Sequence, residues 1–476
     1  MRNLTMLIDY YELTMANSYF VHNKNDLASF DLFFRDNPDN GGYSIIAGLE
    51  QVIQYINELK FTKEDIKFLK SKGIFDEGFL KYLETFKFTG TMHAVKEGTP
   101  IFPREPILTV VGPIIECQII ETMLLLTINH QSLIATKTAR IVHAAKGRTV
   151  MEFGSRRAQG YDAANFGARA AYIAGAVGSA NTYTDRLYNI PALGTMAHSY
   201  VQSFKSEYDA FLAYAKTYPN STVFLVDTYS TLGSGIPNAI KVAKEYLIPN
   251  GYRLKGIRID SGDLAYLSKE ARKMLDAEGL NDCKITVSNS LDEYLIRELI
   301  RQGACIDSFG VGERLITSKS DSVFGGVYKL SALKENGIWV PKMKLSDNVE
   351  KTTIPGIKGL YRFFKDGKAI ADVVTLKDEV IDEEKPYLLF DPNFPWKNKL
   401  VSDFKAVNLL EPIFVDGKQV YKSPSLDEIR DYHHEQMSTL WDELKRFDYP
   451  HQYYVDLSKP LWDVRERLLK EFSEDF

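Results

Sequence analysis

The side chains best suited to chemistry follow short apolar runs in this sequence. They are Glu152-Phe153-Gly154-Ser155-Arg156-Arg157, Gly194-Thr195-Met196-Ala197-His198-Ser199, Asp227-Thr228-Tyr229, Arg258-Ile259-Asp260-Ser261-Gly262-Asp263, Ser288-Asn289-Ser290 and Gly310-Val311-Gly312, and Gly325-Gly326 opens a further run. Arginines, glycine pairs and hydroxyls suit phosphate: glycine lets backbone N–H groups approach an anion, and an arginine fork binds it bidentately. His198 is the only one of eight histidines in a glycine- and hydroxyl-rich setting of this kind. If Asp227 accepts a hydrogen bond from its Nδ1, the tautomer is fixed and Nε2 is left as a nucleophile. Asp227 could equally cap the loop that follows it. One carboxylate of Asp260-Ser261-Gly262-Asp263 suits the N-cap of the next helix, which leaves Arg258 and the other carboxylate to hold a diol or a metal. Ser288-Asn289-Ser290, ahead of Leu291, reads as a cap rather than as catalytic.

These groups need parallel strands behind them, because β/α folds place their chemistry beyond the carboxyl ends of the strands. The apolar runs are Thr149–Phe153, Ala192–Met196, Val223–Val226, Gly256–Ile259, Lys284–Val287, Ile306–Phe309 and Val327–Leu330, and amphipathic helices follow most of them. This rhythm predicts a closed or nearly closed parallel barrel, with a doubly wound open sheet as the alternative. Ahead of it, residues 1–130 mix helical patterns with strands at Thr89–Val95 and Ile107–Gly112, an α+β unit. Beyond about residue 345 short strands alternate with Gly/Asp/Pro turns, and Leu426–Phe447 reads as a polar helix. The expected organisation is therefore an N-terminal α+β domain (1–130), a β/α barrel (131–345) and a C-terminal α/β extension (346–476).

Composition narrows the function classes. The 476 residues carry 58 Lys+Arg against 63 Asp+Glu, a formal charge of −5, so no global basic field favours nucleic acid or an anionic membrane. Three widely separated cysteines form no C-x-x-C pair, which argues against a disulfide framework and a cysteine zinc site and for a reducing, cytoplasmic setting. The N-terminal residues show no sustained apolar core of a secretion signal. Ile114–Ile128, the most apolar stretch, carries Glu116, Gln118 and Glu121 and reads as a buried helix, not a membrane span of about 20 apolar residues.

Ten ordered blocks, spread over about residues 5 to 470, resemble nicotinate phosphoribosyltransferases: IDYYELTMANSYF, FDLFFRDNP, EFGSRRAQG, GTMAHSYVQSF, VDTYSTLGSG, GIRIDSGDLA, VSNSLDE, FGVGERLIT, GGVYKL and PGIKGLYR. The resemblance implies a type II phosphoribosyltransferase fold, an irregular TIM-like barrel in a homodimer with shared active sites. It implies that nicotinate attacks C1 of 5-phosphoribosyl pyrophosphate, giving nicotinate mononucleotide and pyrophosphate for NAD salvage. ATP hydrolysis would be coupled through a phosphohistidine, with Mg²⁺ and without zinc, a ligase-type reaction. Carried over by position, His198 is the phosphorylated histidine, with Asp227 beside it. Arg258 and Asp260 meet the nicotinate carboxylate or pyrophosphate and the ribose hydroxyls. Phe153 and the Tyr11 of the other subunit sandwich the pyridine ring, and Thr195 contacts nicotinate. Arg156, Gly310, Gly312, Gly325 and Gly326 hold the sugar phosphate.

One departure stands out: Glu313 occupies a place where some relatives carry a phosphate-binding threonine, so a pairing with Arg314 or a bridging Mg²⁺ is expected. Nicotinamide as substrate would call for an acceptor facing its amide. The nicotinamide enzymes carry an aspartate in the loop that here reads GSANTY (Gly178–Tyr183), where Ser179 and Asn181 stand without a carboxylate, so the acid is the expected substrate. A sugar-phosphate lyase or isomerase would need a strand-end lysine or acid/base pair, and Lys329 lies within a strand instead. A catalytically dead structural relative would have no use for His198, Arg258, Asp260 and both glycine pairs.

Overall fold

A computed structural model describes residues 3–345 and 352–474, and the chain forms two compact units, residues 1–133 with 323–476 and residues 134–322. The regions expected as separate N- and C-terminal domains therefore lie within one unit. The expected border at residues 345/346 adjoins 346–351, which are outside the described residues.

The first unit is built on a seven-stranded antiparallel sheet in the order 338–341, 326–335, 27–34, 108–113, 91–95, 410–415, 418–419. Leu27–Phe34 lies inside this sheet, and its alternate residues Phe30, Leu32 and Phe34 are all buried. Phe30 stacks on Tyr328 of the neighbouring strand with ring centroids 4.9 Å apart. The helical patterns of this region, expected at Val52–Leu59, Lys63–Lys72 and Phe75–Glu84, form helices Leu49–Glu58, Lys63–Ser71 and Glu77–Glu84; a Thr62/Asp65 capping box opens the second and Asp76 caps the third. Ile114–Ile119 and Glu121–Ala145 are helical, as the apolar stretch requires. Leu426–Thr439 is the polar helix, shorter than expected because Leu440 is extended and Asp442–Lys445 forms a separate 3-10 turn. The run Val327–Leu330 does not belong to a parallel barrel: Gly326–Glu335 pairs antiparallel with Leu27–Phe34. Sequence rhythm alone cannot distinguish these partners, since a half-buried strand looks the same in either sheet.

The second unit carries five parallel strands in the order Thr149–Glu152, Ser308–Val311, Lys284–Ser288, Gly256–Ile259, Val223–Leu225. Single parallel bridges continue the row from Glu152 to Ser179 and from Ser179 to Ala192. The neighbours run in the cyclic order of a singly wound barrel, which excludes the doubly wound alternative. The expected closure is not found, however: among the described residues no ladder joins the Ala192 segment to Val223–Leu225. After Ala192 the chain runs without an assigned strand to a short helix that begins at His198.

Candidate active site

Arg258 is the second-last residue of its strand, and its guanidinium is held from three sides. Nε donates to Ser288 Oγ at 2.8 Å, Nη1 to Thr195 Oγ1 at 3.2 Å and Nη2 to Asp260 Oδ1 at 2.9 Å. Three of its five N–H bonds are thus used, leaving one on each terminal nitrogen, the pair suited to a bidentate anion. Ser288 also donates to Asp260 Oδ1. The guanidinium carbon lies 5.5 Å from the centre of the Phe153 ring. Cation, carboxylate and aromatic face therefore converge on one point beyond the strands.

His198 opens the helix His198–Gln202, with Nδ1 3.1 Å from Thr228 Oγ1 and Nε2 3.9 Å from Asp260 Oδ2 and 4.0 Å from Asp227 Oδ1. The Nδ1 partner is Thr228, not Asp227 as expected from sequence. Asp227 instead uses Oδ2 to accept from the Asp260 N–H at 3.0 Å and from Ser261 Oγ at 2.6 Å, holding the turn that carries Asp260. Its Oδ1 is buried and has no hydrogen-bond partner. Asp263 caps Leu264–Ala277 by accepting from the Tyr266 N–H at 3.0 Å, which frees Asp260 for the site as anticipated.

Phe153 follows the strand Thr149–Glu152, and its N–H donates to Val311 O at 2.7 Å. A Cβ on Gly310 would stand 2.5 Å from two atoms of the Phe153 ring, so the glycine makes room for the aromatic face. A Cβ on Gly154 would stand 2.7 Å from Gly312 O, so the two strand ends are packed backbone to backbone. Arg156 and Arg157 are exposed on the 3-10 turn Ser155–Arg157. Glu313 pairs with Lys319 at 3.0 Å rather than with Arg314, which pairs with Asp292, and the lysine beside it holds the Glu313 carboxyl below its usual range.

Of the residues singled out from sequence, Phe153, Thr195, His198, Asp227, Arg258, Asp260, Gly310 and Gly312 belong to this strand-end cluster. Tyr11, Gly325 and Gly326 belong to the other unit. There Tyr11 lies on the exposed side of Tyr10–Val21, and a Cβ on Gly326 would collide with Asn129 Oδ1. Thr228, Ser261 and Ser288 stand among the strand-end groups of the sequence without a part in the site assigned there, and the structure joins them to His198, Asp227 and Arg258. Ser288 had been read as a cap, but Asp292 caps the helix Glu293–Arg301. Two successive positive φ angles, 95° at Asn289 and 46° at Ser290, lie between that strand and its helix. Strain of this kind tends to collect at functional sites. Among the described residues no three His, Cys, Asp or Glu side chains converge as a metal site, and no helix is long and apolar enough to cross a membrane.

Known proteins resemble this chain along its whole length. Models of the nicotinate phosphoribosyltransferase N-terminal domain, family and C-terminal domain match residues 6–129, 149–384 and 357–465. A Bacillus subtilis nicotinate phosphoribosyltransferase is 43% identical, covering 99% of this chain and 98% of its own. One from Mycobacterium tuberculosis is 38% identical over 93% and 89%. The crystal structure of human nicotinic acid phosphoribosyltransferase superposes with a TM-score of 0.85 at 30% identity, covering 98% of this chain and all of that one.

Proposed function

Because this chain belongs to the nicotinate phosphoribosyltransferase family, we propose that it joins nicotinate to the ribosyl phosphate of 5-phosphoribosyl 1-pyrophosphate. The pyridine nitrogen attacks C1, the C1–O bond to pyrophosphate breaks, and nicotinate mononucleotide and pyrophosphate leave. The sugar passes through an oxocarbenium-like state, so the protein's work is to align the reactants and stabilise the departing charge. The observation that carries this reading is the Arg258 guanidinium, fixed by Ser288, Thr195 and Asp260 beside the Phe153 ring. Its two remaining N–H bonds suit the nicotinate carboxylate, and the ring face suits the flat pyridine. Asp260 Oδ2 is placed for a ribose hydroxyl, and Arg156 with the glycine-rich strand ends for the sugar phosphate.

The acid is favoured over the amide. The Gly178–Tyr183 turn carries no carboxylate to receive a carboxamide N–H₂: the Ser179 hydroxyl donates to Glu152, the Asn181 amide donates to Asn165, and Asn181 Oδ1 already accepts from the Tyr183 N–H. Coupling to ATP would place the γ-phosphoryl on His198 Nε2: the N–P bond forms as the bond to ADP breaks. In the tautomer that donates Nδ1–H to Thr228 Oγ1, Nε2 keeps its lone pair for this step. Mg²⁺, when bound, supplies positive charge beside the pyrophosphate. Asp227 Oδ1, buried and without a hydrogen-bond partner, is the carboxylate oxygen that would hold such a partly hydrated ion.

In the same reading the second unit is an irregular barrel. Its open seam is crossed by side chains, Arg258 to Thr195 and His198 to Thr228. The enzyme works as a cytoplasmic homodimer in which the Tyr11 of one subunit covers the ring site of the other. Three free cysteines, two of them buried, suit that reducing compartment. The test is product formation from 5-phosphoribosyl pyrophosphate, Mg²⁺ and ATP with nicotinate and nicotinamide in parallel. Mononucleotide from nicotinate with release of ADP is expected; product from nicotinamide alone, or from neither, overturns the reading.

A further inference from the structure

Glu152 lies at the end of its strand with its side chain fully buried, one residue before the ring that faces Arg258. Its two oxygens are shared between two different loops. Oε1 accepts from the Gly154 N–H, at the turn that carries Phe153 and leads into Ser155–Arg157. Oε2 accepts from Ser179 Oγ at 2.5 Å. The Ser179 oxygen in turn accepts from the Asn181 N–H at 3.0 Å, and the Asn181 side chain caps Thr182–Tyr188 and donates to Asn165 Oδ1 at 2.8 Å. The backbone repeats the connection, since Glu152 N donates to Gly178 O at 3.0 Å and Ala180 N to Glu152 O at 2.8 Å. Ser155 and Asn181, one from each loop, both line an open groove of about 460 Å³ that also includes Tyr161, Asn165 and Tyr183.

A buried carboxylate is costly unless its oxygens receive donors. Burial raises the Glu152 pKa while Ser179, the Gly154 N–H and Ser155 lower it. A group kept at that cost, with each oxygen on a different loop, holds the loops in register. We infer that Glu152 is a positioning residue that locks the Phe153 platform to the Ser179–Asn181 turn, and that this Glu152–Ser179 clamp sets the fit of the pyridine substrate. The inference rests on the proposed transferase reading. It differs from that reading in assigning the base fit to a residue that touches neither substrate.

The test compares Glu152→Ala, Glu152→Gln, Ser179→Ala and the double alanine variant in steady-state transfer from 5-phosphoribosyl pyrophosphate, measuring the nicotinate KM and kcat separately. Glu152→Ala should raise the nicotinate KM about tenfold or more with kcat within about threefold of the parent, the size expected when a buried charged hydrogen-bond pair is lost. Glu152→Gln should recover most of that loss, because its carbonyl still accepts from Gly154 and its amide can donate to Ser179 Oγ. Adding Ser179→Ala to Glu152→Ala should cost nothing further if both act through one clamp. An unchanged KM in Glu152→Ala, or additive losses in the double variant, overturns the clamp. If Glu152→Ala does not fold, Ser179→Ala decides: a raised KM supports the clamp and an unchanged one overturns it. Transfer by the parent protein keeps the two claims apart, since an inactive parent overturns the transferase reading, whereas an active parent with indifferent variants overturns only the clamp.

Discussion

Arg258 is worth more than its charge, because Ser288, Thr195 and Asp260 fix its plane before any substrate arrives. Arg258→Ala should therefore lower kcat/KM for nicotinate by about 10²-fold or more, comparable to losing about 2.7 kcal/mol of transition-state stabilisation. Near-parental turnover would remove Arg258 from the site. Arg258 and Asp260 were legible as a pair from the sequence, yet the serine that joins them was not: Ser288 precedes a helix, and only folding shows that Asp292 is the cap. His198 presents a similar case. Its setting marked it out, but the hydroxyl on Nδ1 comes from Thr228, next to the aspartate that had been expected there. His198→Ala should abolish ATP hydrolysis and its coupling while leaving slow ATP-independent transfer, measured as ADP and mononucleotide released in parallel. Loss of all transfer would instead make His198 essential to the pentosyl step.

Single strands and helices are positioned here by absences as much as by side chains. Gly310 leaves the space the Phe153 ring fills. Gly310→Ala should push that ring aside, costing about 1–3 kcal/mol if the strand is to hold its place. The nicotinate KM should rise while the far-ultraviolet circular dichroism stays parental; an unchanged KM would show that the ring is not part of the base site. Gly235 is held more tightly still, since a Cβ there would run into Val226 O as the chain turns into Ile236–Val242. The helices were legible because apolar spacing and caps are local signals, as in Lys63–Ser71 with its Thr62/Asp65 box. The strands were legible as strands but not by partner, and Gly326–Glu335 is the clearest instance.

At the scale of the whole molecule, pH reports buried groups in the first unit. His433, on Leu426–Thr439, is buried with Nδ1 3.0 Å from Gly98 O, and burial pulls its pKa down to about 4. An unfolded histidine takes its proton near pH 6.5, so this contribution is complete above that pH. It is lost as pH falls toward 4, up to about 3 kcal/mol. His433→Gln should flatten the fall in urea midpoint between pH 6.5 and 4; an unaltered slope would exclude His433 as its source. Burial raises Glu12 to about 8 and Asp456 to about 7, and these act oppositely, stabilising at low pH and losing that contribution as pH rises through those values. The proposed sharing of sites between subunits has its own test. Tyr11→Ala should weaken nicotinate binding, and mixing Tyr11→Ala with His198→Ala subunits should restore fully competent sites. Confirmed heterodimers without rescue would count against sharing.

From the sequence alone came the reaction family, the α/β class, the strand-end positions of the polar groups and most helices, because these rest on residue identity and on periodicities confined to a dozen neighbouring residues. Tertiary structure alone decided which strands pair, that no ladder joins the Ala192 segment to Val223–Leu225, and that Thr228, Ser288 and Ser179 hold His198, Arg258 and Glu152. The three hydroxyl contacts each join residues about 30 positions apart, where several hydroxyls could serve equally well. Which one arrives within hydrogen-bonding distance is settled by how the strands stack, and no local pattern encodes that.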